Sequence, residues 1–173
     1  PSGLAAFERG RPLLGERAHA LLVVIQGIDA AGKDGTIRHV MEAFNPQGCP
    51  VTGFKVPNAE ELAHDYLWRV HKAVPHKGEI GIFNRSHYED VLIARVHNLV
   101  PPATWARRYG QINTFEQGLT QAGMTIVKVM LHISSGEQKA RLASRLDRPS
   151  KHWKYNPADV DERRWWPEYQ TAY

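Results

Sequence analysis

An apolar run that leads directly into a glycine-rich segment with a lysine constrains the fold of this chain more than any other feature. Residues 20–26 read Ala-Leu-Leu-Val-Val-Ile-Gln, and residues 27–36 read Gly-Ile-Asp-Ala-Ala-Gly-Lys-Asp-Gly-Thr. An uninterrupted apolar run of this length predicts a strand buried on both faces, as in a parallel sheet. We expect a helix to follow at 32–44, because Asn45 and Pro46 then end it.

Further strands and helices alternate along the rest of the chain. Apolar runs with β-branched or aromatic residues predict strands at 51–54, 79–84 and 125–133. Capping patterns and breakers predict the helices, which we place at 58–74, after Ser86, at 103–121, at 134–146 and from Pro157 onward with a kink at Pro167. This alternation predicts an α/β fold with three layers, α/β/α, around a parallel sheet.

The size and charge of the chain limit its organisation and its partners. The 173 residues fit a single domain, and the net charge of +4 suggests an anionic partner. No apolar run approaches the roughly 18 residues of a membrane span, so we expect no membrane partner. We also expect no nucleic-acid partner, since Trp165, Trp166 and Tyr169 are better explained by helix packing than by base stacking.

Two further features concern the compartment and the ends of the chain. Cys49 is the single cysteine, which excludes an internal disulfide and favours the cytoplasm. The first residue is not methionine, so we expect the chain to be trimmed at one or both ends.

The glycine-rich segment has the spacing of a phosphate-binding loop, Gly27-x-x-x-x-Gly32-Lys33. Glycines allow successive backbone N–H groups to face inward, and together with the helix N-terminus they form an anion nest, to which Lys33 adds a charge. The usual Ser or Thr after the lysine is displaced to Thr36, so Asp29 is the candidate for the hard oxygen ligand of a metal. The candidate phosphate-binding residues of the loop are Gly27, Ala30, Ala31, Gly32, Asp34, Gly35 and Thr36.

A second candidate segment follows the predicted strand at 79–84. The carboxyl ends of parallel strands share one edge of a sheet, so residues 27–36 and 84–90 should lie on one rim. Arg85 is placed for a bidentate phosphate contact, and Glu89 and Asp90 supply carboxylates. Two simpler explanations remain open, in which Glu89 is only the acid of a capping box and Asp90 lies on a solvated helix face.

A third segment, residues 145–160, is basic, contains aromatic residues and looks like a lid. A kinase needs such a lid to exclude water, which would otherwise hydrolyse the phosphoryl donor. The alternative is a solvated loop whose tryptophan packs on the core. Throughout, we call residues 145–160 the lid segment.

Together the three segments resemble the polyphosphate kinase 2 family over nearly the whole chain, from about Leu21 to Tyr173. The resemblance is carried by Gly27-x-Asp29-x-x-Gly32-Lys33-Asp34-Gly35-Thr36, by Phe83-Asn84-Arg85-Ser86-x-Tyr88, and by Arg145-Leu-Asp147 with Lys151-x-Trp153-Lys154. It implies a P-loop kinase-like fold and phosphoryl transfer between inorganic polyphosphate and AMP/ADP or GMP/GDP. It further implies Mg²⁺ as the cofactor, with Mn²⁺ as a substitute, and a homo-oligomer, either dimer or tetramer.

The resemblance also implies roles for individual residues. Asp29 would bind magnesium, Lys33 the phosphate and Arg85 the transferred group, while Asp90 would share the metal task that the neutral Asn84 does poorly. Residues Ser86 to Asp90 look like the subgroup that phosphorylates nucleoside monophosphates as well as diphosphates, with Glu89 towards the base. The remaining candidates for the phosphate chain or the nucleotide are Lys55, Arg141, Arg145, Lys151 and Lys154.

Two alternatives share the phosphate-binding loop. One is an ATP-dependent nucleotide or nucleoside kinase of the thymidylate-kinase type, which needs a pocket for the acceptor's base and, for nucleosides, a general base at the hydroxyl. The other is a non-catalytic P-loop module that binds phosphate ligands without turnover. A choice of donor, polyphosphate or ATP, offered with AMP or ADP separates the three.

Overall fold

A four-stranded parallel sheet organises the part of the chain that the computed structural model describes, residues 19–42 and 48–173. Its strands are β1 (Ala20–Gln26), β2 (Val51–Thr52), β3 (Ile80–Asn84) and β4 (Met124–Met130), in the order β2-β3-β1-β4. All neighbouring pairs are parallel. Ile25 of β1 is level with Asn84 of β3, so the carboxyl ends of the two strands share one edge.

The helices lie between the strands and after β4. They are α1 (Lys33–Met41), α2 (Ala59–Leu62), α3 (Trp68–Ala73), α4 (Ile93–Val96), α5 (Pro102–Gln121), α6 (Ser135–Asp147), α7 (Pro157–Asp161) and α8 (Trp166–Ala172). Short 3-10 turns cover His87–Asp90, Pro149–Lys154 and Glu162–Trp165. Within the described residues, no helix has both the length and the apolar character to cross a membrane.

Side chains of β1 pack against helices on both faces of the sheet. Leu22 and Val24 are fully buried on one face, against Val70 of α3 and Phe115 of α5. On the other face, Ile25 packs in a cluster with Ile37 of α1. Because each face of the central strand is covered, its apolar residues run without interruption. This arrangement confirms the predicted three-layer α/β/α fold.

Three predicted helices differ from the structure. The helix predicted at 58–74 is two helices, because the Asp65 carboxylate accepts a hydrogen bond from the Leu67 N–H at 3.0 Å and forms a turn. After Ser86 the chain forms a 3-10 turn before α4 begins. Pro167 does not kink a helix but lies in the first turn of α8, where a missing N–H costs nothing.

Three ends and one loop also differ. The strand predicted at 51–54 ends at Thr52. The helix predicted at 32–44 ends at Met41, and residues 43–44 of that prediction lie outside the described part of the chain. The strand predicted at 125–133 ends at Met130. The predicted loop at 147–157 contains the 3-10 turn Pro149–Lys154, so the lid segment is partly helical.

Candidate active site

The phosphate-binding loop has backbone conformations that its glycines permit. Gly32 has φ 102° and directly precedes α1, and Ala30 is also left-handed with φ 63°. A Cβ on Gly27 would lie 2.8 Å from the carbonyl oxygen of Leu131, so a side chain there is excluded. Gly32 provides no side-chain cap for α1, which leaves the N–H groups of the first turn to an anion.

Helix α6 holds this loop from behind. The Gln138 amide donates to the Asp29 carbonyl at 3.1 Å, and the Arg141 guanidinium donates to the carbonyls of Ala30 at 3.3 Å and Ala31 at 2.9 Å. Gln138 is only 1% exposed. The loop is therefore fixed through its carbonyl groups, and its N–H groups can face the other way.

Lys33 lies at the inner wall of the loop and is 8% exposed. Its Nζ donates to the carbonyl oxygens of Gly27 at 2.6 Å and Ile28 at 3.3 Å. Burial lowers the pKa of the Lys33 ammonium, and the nearby Asp29 carboxylate opposes that shift.

Arg85 follows β3 directly and has a left-handed backbone, with φ 63°. Its N–H donates to the Ile25 carbonyl at 3.2 Å, and its guanidinium lies 2.5 Å from Asp29 Oδ1. Burial opposes the charge of Arg85, but the carboxylates of Asp29 and Glu89 outweigh it and raise the pKa of the guanidinium. The turn after β3 thus holds the Arg85 side chain in contact with Asp29 of the phosphate-binding loop.

These side chains line a cavity of about 650 Å³ at the carboxyl edge of the sheet. We call it the large cavity to distinguish it from a smaller one beside it, although an open groove of about 830 Å³ along α5, away from this edge, has a greater volume. Its wall combines the loop, the end of β2 and the lid segment. Its basic residues are Lys33, Lys55, Arg85, Arg145 and Lys154, and its acidic residues are Asp29, Asp34 and Asp159. The excess of basic side chains suits an anionic ligand.

A second cavity of about 250 Å³, which we call the small cavity, lies on the other side of the ion pair between Asp29 and Arg85. Glu89 lines it, together with Tyr169 of α8 and Tyr173, which directly follows that helix. Burial raises the pKa of the Glu89 carboxyl, while Arg85 and Lys33 oppose that shift. The ion pair therefore faces two compartments, one with an excess of basic side chains and one that the carboxylates of Glu89, Asp159 and Glu162 line.

A hydrogen-bond network around the buried Glu116 carboxylate anchors the turn that carries Glu89. The carboxylate of Glu116, on α5, accepts from the Tyr88 hydroxyl at 2.8 Å and from Lys128 Nζ at 2.7 Å, and lies 3.2 Å from Nε2 of the fully buried His87. Burial would raise the pKa of Glu116, but hydrogen bonds from His87, Lys128 and Tyr88 lower it to about 2. The turn is thereby tied to α5 and β4.

The structure brings most of the predicted site residues to the two cavities. Those that line the large cavity are Asp29, Ala30, Gly32, Lys33, Asp34, Gly35, Lys55, Asn84, Arg85, Arg145 and Lys154. Gly27 and Glu89 line the small cavity, which Asp29 and Arg85 share. Ala31 and Thr36 belong to the loop but line neither cavity.

Three other predicted residues point elsewhere. Asp90 lies 3.3 Å from Arg108 and 3.8 Å from Arg69 and lines neither cavity, so it does not meet Asp29 as a shared metal site would require. Arg141 contacts loop carbonyls instead of the cavity, because those carbonyls offer it the same charge-assisted bonds as a phosphate. Lys151 reaches Ser144 Oγ at 3.5 Å and also lines neither cavity.

Several residues at the site could not be predicted from local sequence patterns. Trp153 is 79% exposed and lines the large cavity, so the alternative in which the lid tryptophan packs on the core is wrong. Asp159 pairs with Arg145 at 2.6 Å and lines both cavities. Gln138 supports the loop, but its position inside a helix carried no signal. Trp165 and Trp166 pack against a core cluster, as predicted.

Fold and site together define a class of protein. A phosphate-binding loop joins a central parallel strand to a helix, and helices cover both faces of the sheet. Arg85, directly after the neighbouring strand β3, lines the large cavity together with Lys33. This is a P-loop protein with a kinase-like fold.

The comparisons identify the family. The model of the family described as Polyphosphate kinase 2 matches residues 11–173, and the chain belongs to that family. It is 56% identical over 161 residues to the AMP/ADP-polyphosphate phosphotransferase of Meiothermus ruber, covering 93% of this chain and 60% of the relative. It is 47% identical over 173 residues to the ADP-polyphosphate phosphotransferase of Rhodopseudomonas palustris, with the same coverages.

A solved structure agrees in fold. The crystal structure of polyphosphate kinase 2 from Arthrobacter aurescens TC1 superposes with a TM-score of 0.90 at 50% identity, covering 98% of this chain and 63% of that chain. The present chain thus spans about 60% of the length of the two curated relatives described above.

Proposed function

We propose that this protein transfers a phosphoryl group between inorganic polyphosphate and adenine or guanine nucleotides. The observation that carries the proposal is the convergence of Asp29, Lys33 and Arg85 on a basic cavity beside the phosphate-binding loop. The names of the relatives, which include AMP/ADP- and GDP-polyphosphate phosphotransferases, support the same chemistry. AMP, ADP, GMP and GDP are the proposed acceptors.

The proposed reaction is an in-line attack by the terminal phosphate of the nucleotide on a phosphoryl group of the donor. That phosphate is ionised at neutral pH, so a catalytic base is not required. Lys33 and Arg85 neutralise charge on the transferred group, and the loop N–H groups orient it. Asp29 holds the Arg85 guanidinium in place through their ion pair. The lid segment, with Arg145 and Lys154, excludes water.

Magnesium is the proposed cofactor, with Mn²⁺ as a substitute. Within residues 19–42 and 48–173, no three His, Cys, Asp or Glu side chains are grouped so as to hold a metal by themselves. Magnesium commonly takes one or two carboxylates and completes its shell with phosphates and water. Asp29 fits that requirement, because it supplies one carboxylate at the cavities. Its Oδ1 atom accepts a hydrogen bond from Arg85, and the Asp29 side chain lines both cavities. The ion would neutralise charge on the phosphate oxygens.

The remaining parts of the proposal concern the cell and the assembly. A single cysteine supports a cytoplasmic location, where thiols stay reduced. We include a homo-oligomer, dimer or tetramer, which sedimentation equilibrium of the purified protein would test.

The decisive experiment offers the purified protein long-chain polyphosphate, AMP and Mg²⁺ and measures ADP and ATP by anion-exchange chromatography. Parallel reactions replace polyphosphate by ATP, AMP by GMP, and Mg²⁺ by Mn²⁺ or a chelator. We expect ADP and then ATP from polyphosphate, and none with the chelator. Transfer from ATP but not from polyphosphate would instead indicate an ATP-dependent kinase. Polyphosphate binding without turnover in Mg²⁺ would indicate a non-catalytic module.

A further inference from the structure

The backbone of the phosphate-binding loop is strained at one residue that is not glycine. Ala30 has φ 63°, in the left-handed region, where the Cβ atom crowds the following carbonyl oxygen. An alanine keeps this conformation only where the surrounding structure holds it there. Helix α6 supplies contacts of that kind on both sides of Ala30, through Gln138 and Arg141.

These contacts act on the two peptide groups that flank Ala30. Before it, the Asp29 carbonyl accepts a hydrogen bond from the buried amide of Gln138 at 3.1 Å. After it, the Ala30 carbonyl accepts from Arg141 Nη1 at 3.3 Å. Rotation of either peptide plane would break one of these bonds. The two bonds therefore oppose relaxation of Ala30 to an unstrained conformation.

The contacts with α6 also set the direction of two N–H groups. Helix α6 holds the carbonyls of Asp29 and Ala31 on its own side of the loop, and the C=O and N–H of a trans peptide point in opposite directions. The N–H groups of the next residues, Ala30 and Gly32, therefore point away from α6. Neither finds a backbone acceptor among the described residues, and both residues line the large cavity. The N–H of Ala31 donates instead to the Ile28 carbonyl at 3.0 Å.

We propose that Gln138 and Arg141 are positioning residues, which hold Ala30 in its left-handed conformation. They thereby aim the N–H groups of Ala30 and Gly32 at a phosphate of the substrate. This inference rests on the proposed function, in which the loop binds the transferred phosphoryl group. Donors that are oriented before the substrate arrives stabilise charge in the transition state without a cost of reorganisation.

The first test removes the contacts one at a time. Gln138→Met and Arg141→Met each remove the hydrogen-bond donors of the side chain. We expect each to lower kcat at saturating polyphosphate and AMP by about tenfold or more, because small displacements at a site of transfer have effects of that size. A role in stability alone would lower the urea midpoint and leave the kcat of the folded protein unchanged. Lys139→Met is the matched control and should keep kcat, since Lys139 is an exposed residue of α6 that lines neither cavity.

The second test separates positioning from a direct contact between Arg141 and phosphate. Glycine adopts positive φ without steric cost, so Ala30→Gly should make the loop depend less on α6. Relative to Ala30→Gly alone, Arg141→Met should then cost about threefold less activity than it does in the wild type. A direct contact predicts the same loss in both backgrounds, because glycine does not replace the missing charge. Gln138→Met and Arg141→Met together should cost less than the product of their separate losses, since both act on one loop conformation.

Calorimetric titration with tripolyphosphate and Mg²⁺, without nucleotide, provides a measurement that needs no turnover. We expect Gln138→Met and Arg141→Met to weaken binding about tenfold, and Lys139→Met to leave it unchanged. A wild type that binds tripolyphosphate but transfers nothing from polyphosphate overturns the proposed function, while the calorimetry of the variants still decides the inference. A wild type that does not bind tripolyphosphate overturns both. The inference alone is overturned by unchanged kcat and binding in both Met variants, or by a loss in Arg141→Met that Ala30→Gly does not reduce.

Discussion

The phosphate-binding loop and the lid segment face each other across the large cavity, but they are held in different ways. Buried groups support the loop: Gln138 is 1% exposed, and Gly27 lies where a methyl group would collide with the Leu131 carbonyl. The lid segment is held by polar contacts near the surface. Arg145 donates to Asp159 at 2.6 Å and to the Lys154 carbonyl at 3.0 Å, and Trp153 is 79% exposed.

The two kinds of support match two requirements of the site, a loop that stays fixed and a lid that opens and closes. Electrostatic stabilisation of a transferred phosphoryl group needs charges and dipoles that are already in position, and the core supplies that on the loop side. A lid has to open for substrates and products, so contacts of low net stability suit it. We therefore expect the largest effects of substitution in the loop and the smallest in the lid segment.

The largest effect is expected for Lys33→Ala. Lys33 is the ammonium of the phosphate-binding loop, and loss of a group that stabilises the transition state lowers kcat by about 10² to 10³. Stability should change less than activity, because the removal of a buried charge opposes the loss of the hydrogen bonds to the Gly27 and Ile28 carbonyls. Initial rates with saturating polyphosphate and AMP, together with thermal unfolding, provide the measurement.

Lys77→Ala is the matched control for that variant. Lys77 is an exposed lysine in the turn before β3, away from the carboxyl edge of the sheet. Its kcat should match that of the wild type. If Lys33→Ala keeps activity within about tenfold of the wild type, the loop lysine has no transition-state role.

The second effect concerns the buried carboxylate that anchors the Tyr88 turn. Hydrogen bonds from His87, Lys128 and Tyr88 outweigh burial and lower the pKa of Glu116 to about 2, below the usual 4.5. A carboxyl with a lowered folded-state pKa stabilises the protein above the unfolded pKa and loses that contribution as pH falls. The free energy of unfolding should therefore drop by roughly 3 kcal/mol between pH 4.5 and 2 on account of this group.

Glu116→Gln isolates that contribution. The variant should be less stable near neutral pH and should show a shallower decline in stability over the acid range, as measured by urea unfolding at several pH values. Equal slopes for wild type and variant would mean that Glu116 is not the group that titrates, and that the turn is anchored in some other way.

A smaller effect is expected from Gly27→Ala. The new Cβ would lie 2.8 Å from the Leu131 carbonyl oxygen, so backbone must move, at a cost of about 2 kcal/mol. Gly110→Ala, in the middle of α5 with open space around its Cβ position, should instead stabilise by about 0.5 to 1 kcal/mol. Urea unfolding of the two variants compares them directly. Tolerance of Gly27→Ala would show that the loop is less fixed than its contacts indicate.

Local sequence predicted the fixed side of this comparison well. The strand at 20–26 begins and ends where predicted. A strand that is covered on both faces needs an uninterrupted apolar run, and this run stops just before the first glycine of the loop. The loop spacing placed Asp29 and Lys33 at the cavity, and the parallel sheet then placed Arg85 beside them. These predictions depended on residues adjacent in sequence or on strands whose ends coincide.

Contacts between distant residues could not be predicted in the same way. Asp90 was a plausible metal ligand by type, but Arg108, 18 residues away, pairs with it. Arg141 was expected at the phosphate and instead bonds loop carbonyls 110 and 111 residues away. A charged side chain shows which kind of partner it needs, and only the packed structure determines which partner is within reach.

The smallest effect on stability is expected in the lid segment, with Arg145→Met. The ion pair to Asp159 is partly exposed, so its loss should cost about 1 kcal/mol or less.

Arg145 also lines the large cavity, so removal of its charge should raise KM for polyphosphate or nucleotide about tenfold. Its kcat should change little, because the interaction is made equally before and during transfer. Arg148→Met is the matched control, since Arg148 is exposed and lines neither cavity. A stability loss as large as that of Gly27→Ala, or a fall in kcat without a change in KM, would place Arg145 on the fixed side of the site and remove the contrast between loop and lid.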